Sequence, residues 1–505
     1  MSSSAPARRA RWIALALAGG IWLLLLAAGL EAWARWQVRQ ADLQVREVEN
    51  RLYSHPEWTE KDQAVARQVL GGWPDTDADL RAWRELLNHP PQADAWKKRA
   101  DPYGEIFLFL DTAGRVLDRV TPDPAASPVP QSWLDRLSPG AVIFDALPPD
   151  CRQDAAAALR AAPAGNQIRE YPIPLQDHAP PEVLQFVWLP AAAADRNPSS
   201  PHVLCVIRLS IWQELWLTFR PNIHHQDIMD FRSNSLGWRN DEVMLPRPPG
   251  TYRIVCVGGS TTAEGPHNAL TYPSLLDRHL RLDHPDVEVV NAGIFAIGSY
   301  GEAQHAADYL ALDPSLFLHY NFVNDVVSVL DHAEAAEAVL SPRRLLRRLA
   351  GYSTFIRRYL DLWTMPSEAA LLAGLHYTFA NMDSLRRAAE QQGVPVAFCS
   401  FARPAWETLS PPEKAFFDRR IRNMIWGPRL TMRAYCRLVD LYNRELRIRC
   451  TLWKAPFLDI APRLSGGIDR YTDICHMRLW AVDDKARVIA EQIAPLIAGA
   501  DNSRP

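Results

Sequence analysis

Between Arg253 and Gly265 the chain reads R-I-V-C-V-G-G-S-T-T-A-E-G, an order of residues that few folds can use. Arg253 to Val257 are dominated by β-branched and apolar side chains and read as a short buried strand. Gly258 and Gly259 end it, and Ser260 follows at a turn whose backbone needs glycine-rich sequence. A hydroxyl at the carboxyl end of a strand sits where open α/β sheets bind ligands. Taken alone, the same stretch also fits a surface strand-to-helix loop in which Ser260 only caps. Its company in the rest of the chain has to decide.

After Ser260 the pattern alternates. A helix over Thr271 to Leu282 leads to a strand at Val287 to Asn291 and the loop N-A-G-I-F-A-I-G-S-Y-G. A helix at Glu302 to Ala311 precedes a strand at Leu316 to Tyr320 and then N-F-V-N-D-V. Phe379 to Gln392 reads as a helix, Val394 to Ser400 as a strand, Thr431 to Leu446 as a helix, Phe457 to Ile460 as a strand and Val482 to Ile497 as the closing helix. This alternation predicts α/β architecture with a doubly wound parallel sheet. The insertion from Ser328 to Thr378 is helical and arginine-rich, placed to cover a site mouth, and nothing in it reads as chemistry.

The first half differs. Arg8, Arg9 and Arg11 precede Trp12 to Leu30, nineteen residues without a charge. As a helix that run is roughly 28 Å long, near the thickness of a bilayer's hydrocarbon. The leading arginines predict a single-pass anchor with its amino terminus in the cytoplasm and its body extracytoplasmic, periplasmic in a double-membrane envelope. Trp33 and Trp36 suit the far interface; a cleavable signal peptide ending at Ala32-Trp33-Ala34 is the competing reading. Residues 37–88 show amphipathic helical patterning (Leu43, Val45, Val48, Leu52, Val65, Val69) that continues the anchor helix. A hairpin at Glu105 to Val120, a helix at Gln153 to Ala161 and strands at Ile168 to Leu175, Val183 to Leu189 and Val203 to Ile211 complete a smaller α+β domain. In pattern alone it resembles the PAS-like or Cache-like sensor domains of membrane proteins. The proline-containing connector from Trp212 to Pro249 sets a boundary near 222, giving divisions 1–36, 37–221 and 222–505. His224 and His225 within it read as exposed loop residues.

Composition excludes other classes. A net charge of −3 lacks the basic excess of a nucleic-acid partner. Seven cysteines show no C-x-x-C and no zinc spacing, so neither metal nor cofactor is expected; Cys256, Cys399 and Cys475 lie in apolar runs and read as buried small side chains.

Four strand ends of the second half carry polar residues that one reaction can use: Ser260, Gly293 in N-A-G, Asn324-Asp325, and Asp473 with His476 in D-I-C-H. A doubly wound sheet brings such loops to one edge. A serine hydroxyl needs a base, which His476 supplies, and Asp473 three residues earlier can fix its tautomer. Attack on an ester carbonyl builds charge that the N–H groups of Ser260 and Gly293 and the Asn324 amide can meet. Alone, Asp473 and His476 fit a solvated turn, and Asn324-Asp325 a helix cap.

With these residues in place, the span 230–500 resembles the SGNH hydrolases, the GDSL lipase/esterase superfamily: G-G-S, N-A-G, V-N-D and D-x-x-H occur in order. The approach N-S-L-G-W-R is similar to that of membrane-anchored members. The resemblance implies a flavodoxin-like three-layer fold, with Ser260 as nucleophile, Asp473 and His476 completing the triad, and Ser260, Gly293 and Asn324 as oxyanion donors. Gly259 replaces the family's aspartate. Phe322 stands where glycine is usual, two residues before Asn324, and its bulk is expected to narrow the acyl pocket or tilt the loop. The expected activity is an anchored, exported serine esterase for short acyl esters, such as those of an acetylated glycan. O-acyl transfer to glycans, or a catalytically weak sensor or binding protein, are the alternatives.

Overall fold

The computed structural model describes residues 5–87, 89, 94–175, 180–190, 203–215, 217–338, 341–424, 426–427 and 429–501. Two sheets organise the chain. The first holds β1 (Ile106–Leu110), β2 (Val116–Val120), β3 (Gln167–Ile173), β4 (Glu182–Pro190) and β5 (Val203–Leu209) in the order β2-β1-β5-β4-β3, antiparallel at every pairing. Strand periodicity sends alternate residues to opposite faces. Ile106, Leu108 and Leu110 enter one core with Leu184, Phe186 and Trp188, while Phe107 and Phe109 enter another with Trp83 and Trp96.

The second sheet holds β6 (Tyr252–Gly258), β7 (Val287–Gly293), β8 (Leu316–Tyr320), β9 (Val396–Cys399) and β10 (Phe457–Leu458), all parallel, in the order β7-β6-β8-β9-β10. Every residue of β6 is buried, as a central parallel strand covered on both faces must be. The crossover from β6 to β7 runs one way along the sheet and that from β7 to β8 runs back. Right-handed connections therefore put their helices on opposite faces. The Tyr272–Leu280 helix packs with the closing Leu479–Asp501 helix, and the Ser299–Gln304 and Val326–Ala336 helices pack with Glu368–Gln391. The order reverses between β6 and β8, so the crevice at their carboxyl ends is the ligand-binding position of such a sheet.

Two expectations need correction. The transmembrane helix is not supported: the Trp12–Leu30 run lies in the Ala5–Ser54 helix, and among the described residues no helix is long and apolar enough to cross a membrane. Helices Ala5–Ser54 and Pro56–Leu70, expected with the α+β unit, send Val45, Val48, Leu52, Trp58 and Ala66 into the same core as the parallel sheet. Their apolar stripe finds its partner far along the chain, which periodicity alone does not reveal.

The connector is two short hairpins, Trp212–Glu214 with Thr218–Phe219 and His224–Gln226 with Asp230–Arg232. His224 and His225 point to opposite sides of a strand, so His224 is exposed beside Asp230 at 2.9 Å while His225 is buried, contrary to the loop reading. All seven cysteines are free, and Cys256, Cys399 and Cys475 are buried as expected. A buried ion cluster stitches this hairpin to the antiparallel sheet. Arg208 reaches Asp79 (2.6 Å) and Asp227 (2.9 Å), and Asp79 also accepts from Gln226 N–H and pairs with Arg99. Replacing Arg208 by alanine leaves the buried Asp227 carboxylate without its cation and Asp79 with Arg99 alone, with an expected loss of about 3–5 kcal/mol. Denaturant unfolding of the variant should show that loss as a lowered midpoint.

Candidate active site

Gly258 and Gly259 carry the chain from β6 into the Ser260–Ala263 helical turn. A Cβ on Gly258 would lie 2.3 Å from Tyr320 O, so this strand end tolerates no side chain. A Cβ on Gly259 would lie 2.3 Å from Asn324 Nδ2. The missing aspartate is thus matched by an asparagine amide packed directly on the glycine.

Asp473 and His476 come from one tight loop before the last helix, closed by the Thr472 N–H donating to His476 O at 2.9 Å. Asp473 Oδ1 accepts the N–H groups of Cys475 (2.9 Å) and His476 (2.7 Å). Its Oδ2 lies 2.7 Å from His476 Nδ1, and His476 Nε2 lies 2.8 Å from Ser260 Oγ. Ser260, His476 and Asp473, expected from sequence as one unit, form a continuous hydrogen-bonded chain. Their side chains keep partial access to solvent, about a third for the histidine and aspartate.

Burial disfavours an imidazolium here, yet Cys475 and Asp473 outweigh it and hold His476 well above the ordinary histidine range. The Cys475 thiol is itself pushed up to about 11 by burial, so at neutral pH the Asp473 carboxylate is the charge that acts. Burial also raises Asp473, but the His476 charge and the hydrogen bonds from His476 and Cys475 overcome it and bring the carboxyl down to about 2. Asp473, Cys475 and His476 present ligand atoms within 4.8 Å of one another. Their mutual hydrogen bonds account for that closeness.

The donor groups are arranged differently from expectation. Gly293 N–H donates to Asn291 Oδ1 at 3.0 Å and is committed within the β7 turn. Asn324 uses one amide hydrogen on Ile297 O at 2.8 Å, an oxygen that also accepts from Asn321 Nδ2 at 2.8 Å. Among the described residues neither the Gly298 nor the Ser260 N–H has a hydrogen-bond partner. The donors left free along this edge are therefore Ser260 N–H, Gly298 N–H and the second hydrogen of Asn324. In sequence Gly298 carries one signal, a glycine opening the Ser299–Gln304 helix, and it lies five residues beyond the more conspicuous N-A-G.

Phe322 packs into the core beneath the loop. It is fully buried, stacked on Tyr442 at 4.0 Å with 17° between the rings, and Tyr442 donates to Asn321 O at 3.1 Å. The loop is braced from beneath. Asp325 braces it laterally, accepting from Ser299 N–H (3.0 Å) and Oγ (2.5 Å). The connector contributes as well. Arg239 is fully buried and donates to Ala263 O, to Gly265 O (2.8 Å) and to Asn268 (3.2 Å), pinning the segment after Ser260.

Two buried ion pairs tie the loops together. Lys485 donates to Thr261 O (2.9 Å) and Glu264 (2.5 Å), and Glu264 accepts the Met477 N–H (3.2 Å). Arg478, two residues past the histidine, pairs with Asp62 at 2.8 Å and donates to Leu52 O; the second Asp62 oxygen accepts Trp480 N–H at 2.9 Å.

A strand-end serine joined to a histidine–aspartate pair, beside free donors at the switch point of a parallel sheet, is the site of an α/β protein equipped for nucleophilic acyl chemistry. No family model matches the chain, and no curated protein matches it. The solved structures similar to it are GDSL lipases and acylhydrolases. They include a GDSL-like lipase from Bacteroides thetaiotaomicron (14% identity, 49% of this chain and 88% of that one, TM-score 0.29). A carbohydrate acetylesterase from Sinorhizobium meliloti (14%, 49% and 100%, 0.29) and a catalytic mutant of an acetylxylan esterase from Geobacillus stearothermophilus (14%, 48% and 94%, 0.30) are two others. They span about half of this chain and leave the antiparallel unit, with its sensor-like pattern, without support. Identities and scores this low carry no argument about the chemistry, which rests on the geometry. That geometry predicts an NMR titration in which the His476 imidazolium persists well above pH 6.5. Asp473→Asn should bring the transition down; an unshifted one would show that the pair is not coupled.

Proposed function

We propose that this protein is a serine esterase of the SGNH type, cleaving short acyl esters such as acetyl esters through an acyl-enzyme on Ser260. The observation that carries the reading is the hydrogen-bond chain from Asp473 through His476 to Ser260 Oγ. In this mechanism His476 Nε2 takes the Ser260 proton as Oγ attacks the ester carbonyl. The oxyanion is met by the free N–H groups of Ser260 and Gly298 and by the Asn324 amide, Gly298 taking the part expected of Gly293. His476 returns its proton to the departing alcohol, and water repeats the sequence to release the acid. Asp473 remains ionised throughout and holds the imidazole in the tautomer that presents Nε2 to serine.

The same proposal tethers the enzyme to a membrane through its first helix, with the body outside the cytoplasm. Arg8, Arg9 and Arg11 before the uncharged run, and the exposure of Trp22 to Leu26 within it, support this. Full-length protein should fractionate with membranes; recovery in the soluble fraction would remove the tether.

Fluorophosphonate labelling and hydrolysis of short aryl esters test the chemistry. The wild type should label and turn over, and Ser260→Ala and His476→Ala should do neither; a wild type no better than these variants ends the esterase reading. Only the deprotonated imidazole is a base, so kcat/KM should climb with pH along a limb placed above 6.5. Asn324→Ala should lower kcat about a hundred- to a thousandfold. Gly259→Ala, which drives a methyl group into the Asn324 amide, should lower kcat in the same sense while leaving fluorophosphonate labelling detectable. An added sugar acceptor in the same assay reports acyl transfer as a new ester product.

A further inference from the structure

The arginine-rich insertion is unusual in which side chains it turns outward. In the Pro342–Ala350 helix, P-R-R-L-L-R-R-L-A, Arg343 and Arg347 face the protein. Arg343 donates to Leu362 O at 2.8 Å; Arg347 donates to Thr364 O at 2.8 Å and pairs with Glu337 at 2.8 Å. Leu345 and Leu349 are left on the outside, 59% and 44% exposed, with Tyr352 (86%) and Trp363 (61%) on the segments that follow. A helix that turns Arg343 and Arg347 inward and presents Leu345 and Leu349 to solvent has an unpartnered apolar face.

What covers that face is indicated by its neighbour. The insertion is joined to the first helix where the uncharged run ends: Glu31 accepts from Ser353 Oγ (2.9 Å), Thr354 N–H (3.1 Å) and Phe355 N–H (3.1 Å). Trp33 packs on Tyr359 with ring centres 5.0 Å apart. The exposed side chains Trp22 to Leu26 precede this junction on the same helix. Arg344 and Arg348 flank the outward leucines, and Arg348 has no salt-bridge partner among the described residues. Apolar side chains bordered by arginine are the composition that lies in the interface of an anionic bilayer.

We propose that the 342–363 insertion is a lipid-docking surface that seats the protein on an anionic membrane, with Leu345, Leu349 and Tyr352 among the acyl chains and Arg344 and Arg348 at the headgroups. It extends the tether of the first helix to a second, separate contact and fixes which side of the body faces the bilayer. It does not depend on the esterase chemistry, because lipid contact is read without turnover.

Hydrogen exchange of the full-length protein tests it, with vesicles of phosphatidylcholine alone or mixed with phosphatidylglycerol. Amides of 341–363 should exchange severalfold more slowly on the mixed vesicles than on the neutral ones. Arg344→Glu with Arg348→Glu should lower partition onto anionic vesicles by roughly an order of magnitude and remove the protection. Leu345→Gln with Leu349→Gln, both at exposed positions, should remove the protection and leave ester hydrolysis in solution unchanged. Unchanged exchange in this stretch while the protein is vesicle-bound overturns the proposal, as does failure to bind anionic vesicles at all. Protection that rises with protein concentration without lipid also overturns it, and assigns the face to a protein partner.

Discussion

Lys485 is buried to its ammonium group, and its bonds decide whether the two ends of the candidate site remain one object. From the closing helix it holds Thr261 O and Glu264 on the serine side, while Glu264 holds the backbone of Met477 next to the histidine. Its charge also lies over the rings of Tyr272 and Tyr320, at 4.6 and 4.9 Å. A buried ammonium keeps its charge only where its partners are fixed, since removing one leaves the other unpaired in a medium that solvates it poorly. The pair is thus a constraint on position more than a source of stability. Serine and histidine, on segments that share no secondary structure, meet at hydrogen-bond distance because this pair fixes their supports.

The amino-terminal helices belong to the same construction. Asp62 fills a place that the parallel-sheet half leaves open, accepting from the guanidinium of Arg478 and from the backbone of Trp480, while Trp58 stacks beside the same arginine at 5.5 Å. The loop bearing Asp473 and His476 is held from inside by Lys485 and Glu264 and from outside by a helix drawn from the start of the chain. The antiparallel sheet lies between these segments in sequence, so the chain leaves the parallel-sheet unit, builds the first sheet, and returns through the Arg239 connector.

Much of this was legible in the residues. Strand positions from β1 to β10 followed from β-branched runs and turn residues, and β8 was read to its terminal residues, because short apolar runs bounded by glycine, asparagine and proline admit few alternatives. Ser260, Asn324, Asp473 and His476 are legible only as a set: each alone fits a cap or a turn, and together they fall in order at the strand ends and loops of one sheet edge. Gly293 was misjudged because a backbone N–H has no sequence signature of its own. Whether it is free depends on where the Asn291 side chain turns. Phe322 was read as an obstruction because its size is visible in sequence and its direction is not; Tyr442, which receives it, lies in another helix. The docking of the first two helices was hidden for the same reason, the partner of an amphipathic stripe being set by tertiary packing.

Asp473 and His476 share one five-residue turn, closed on itself by Thr472 and by three bonds to a single carboxylate. Acid and base therefore move as a rigid couple. The setting of the imidazole is thus fixed within a single turn, whereas its distance to Ser260 depends on contacts between segments far apart in sequence.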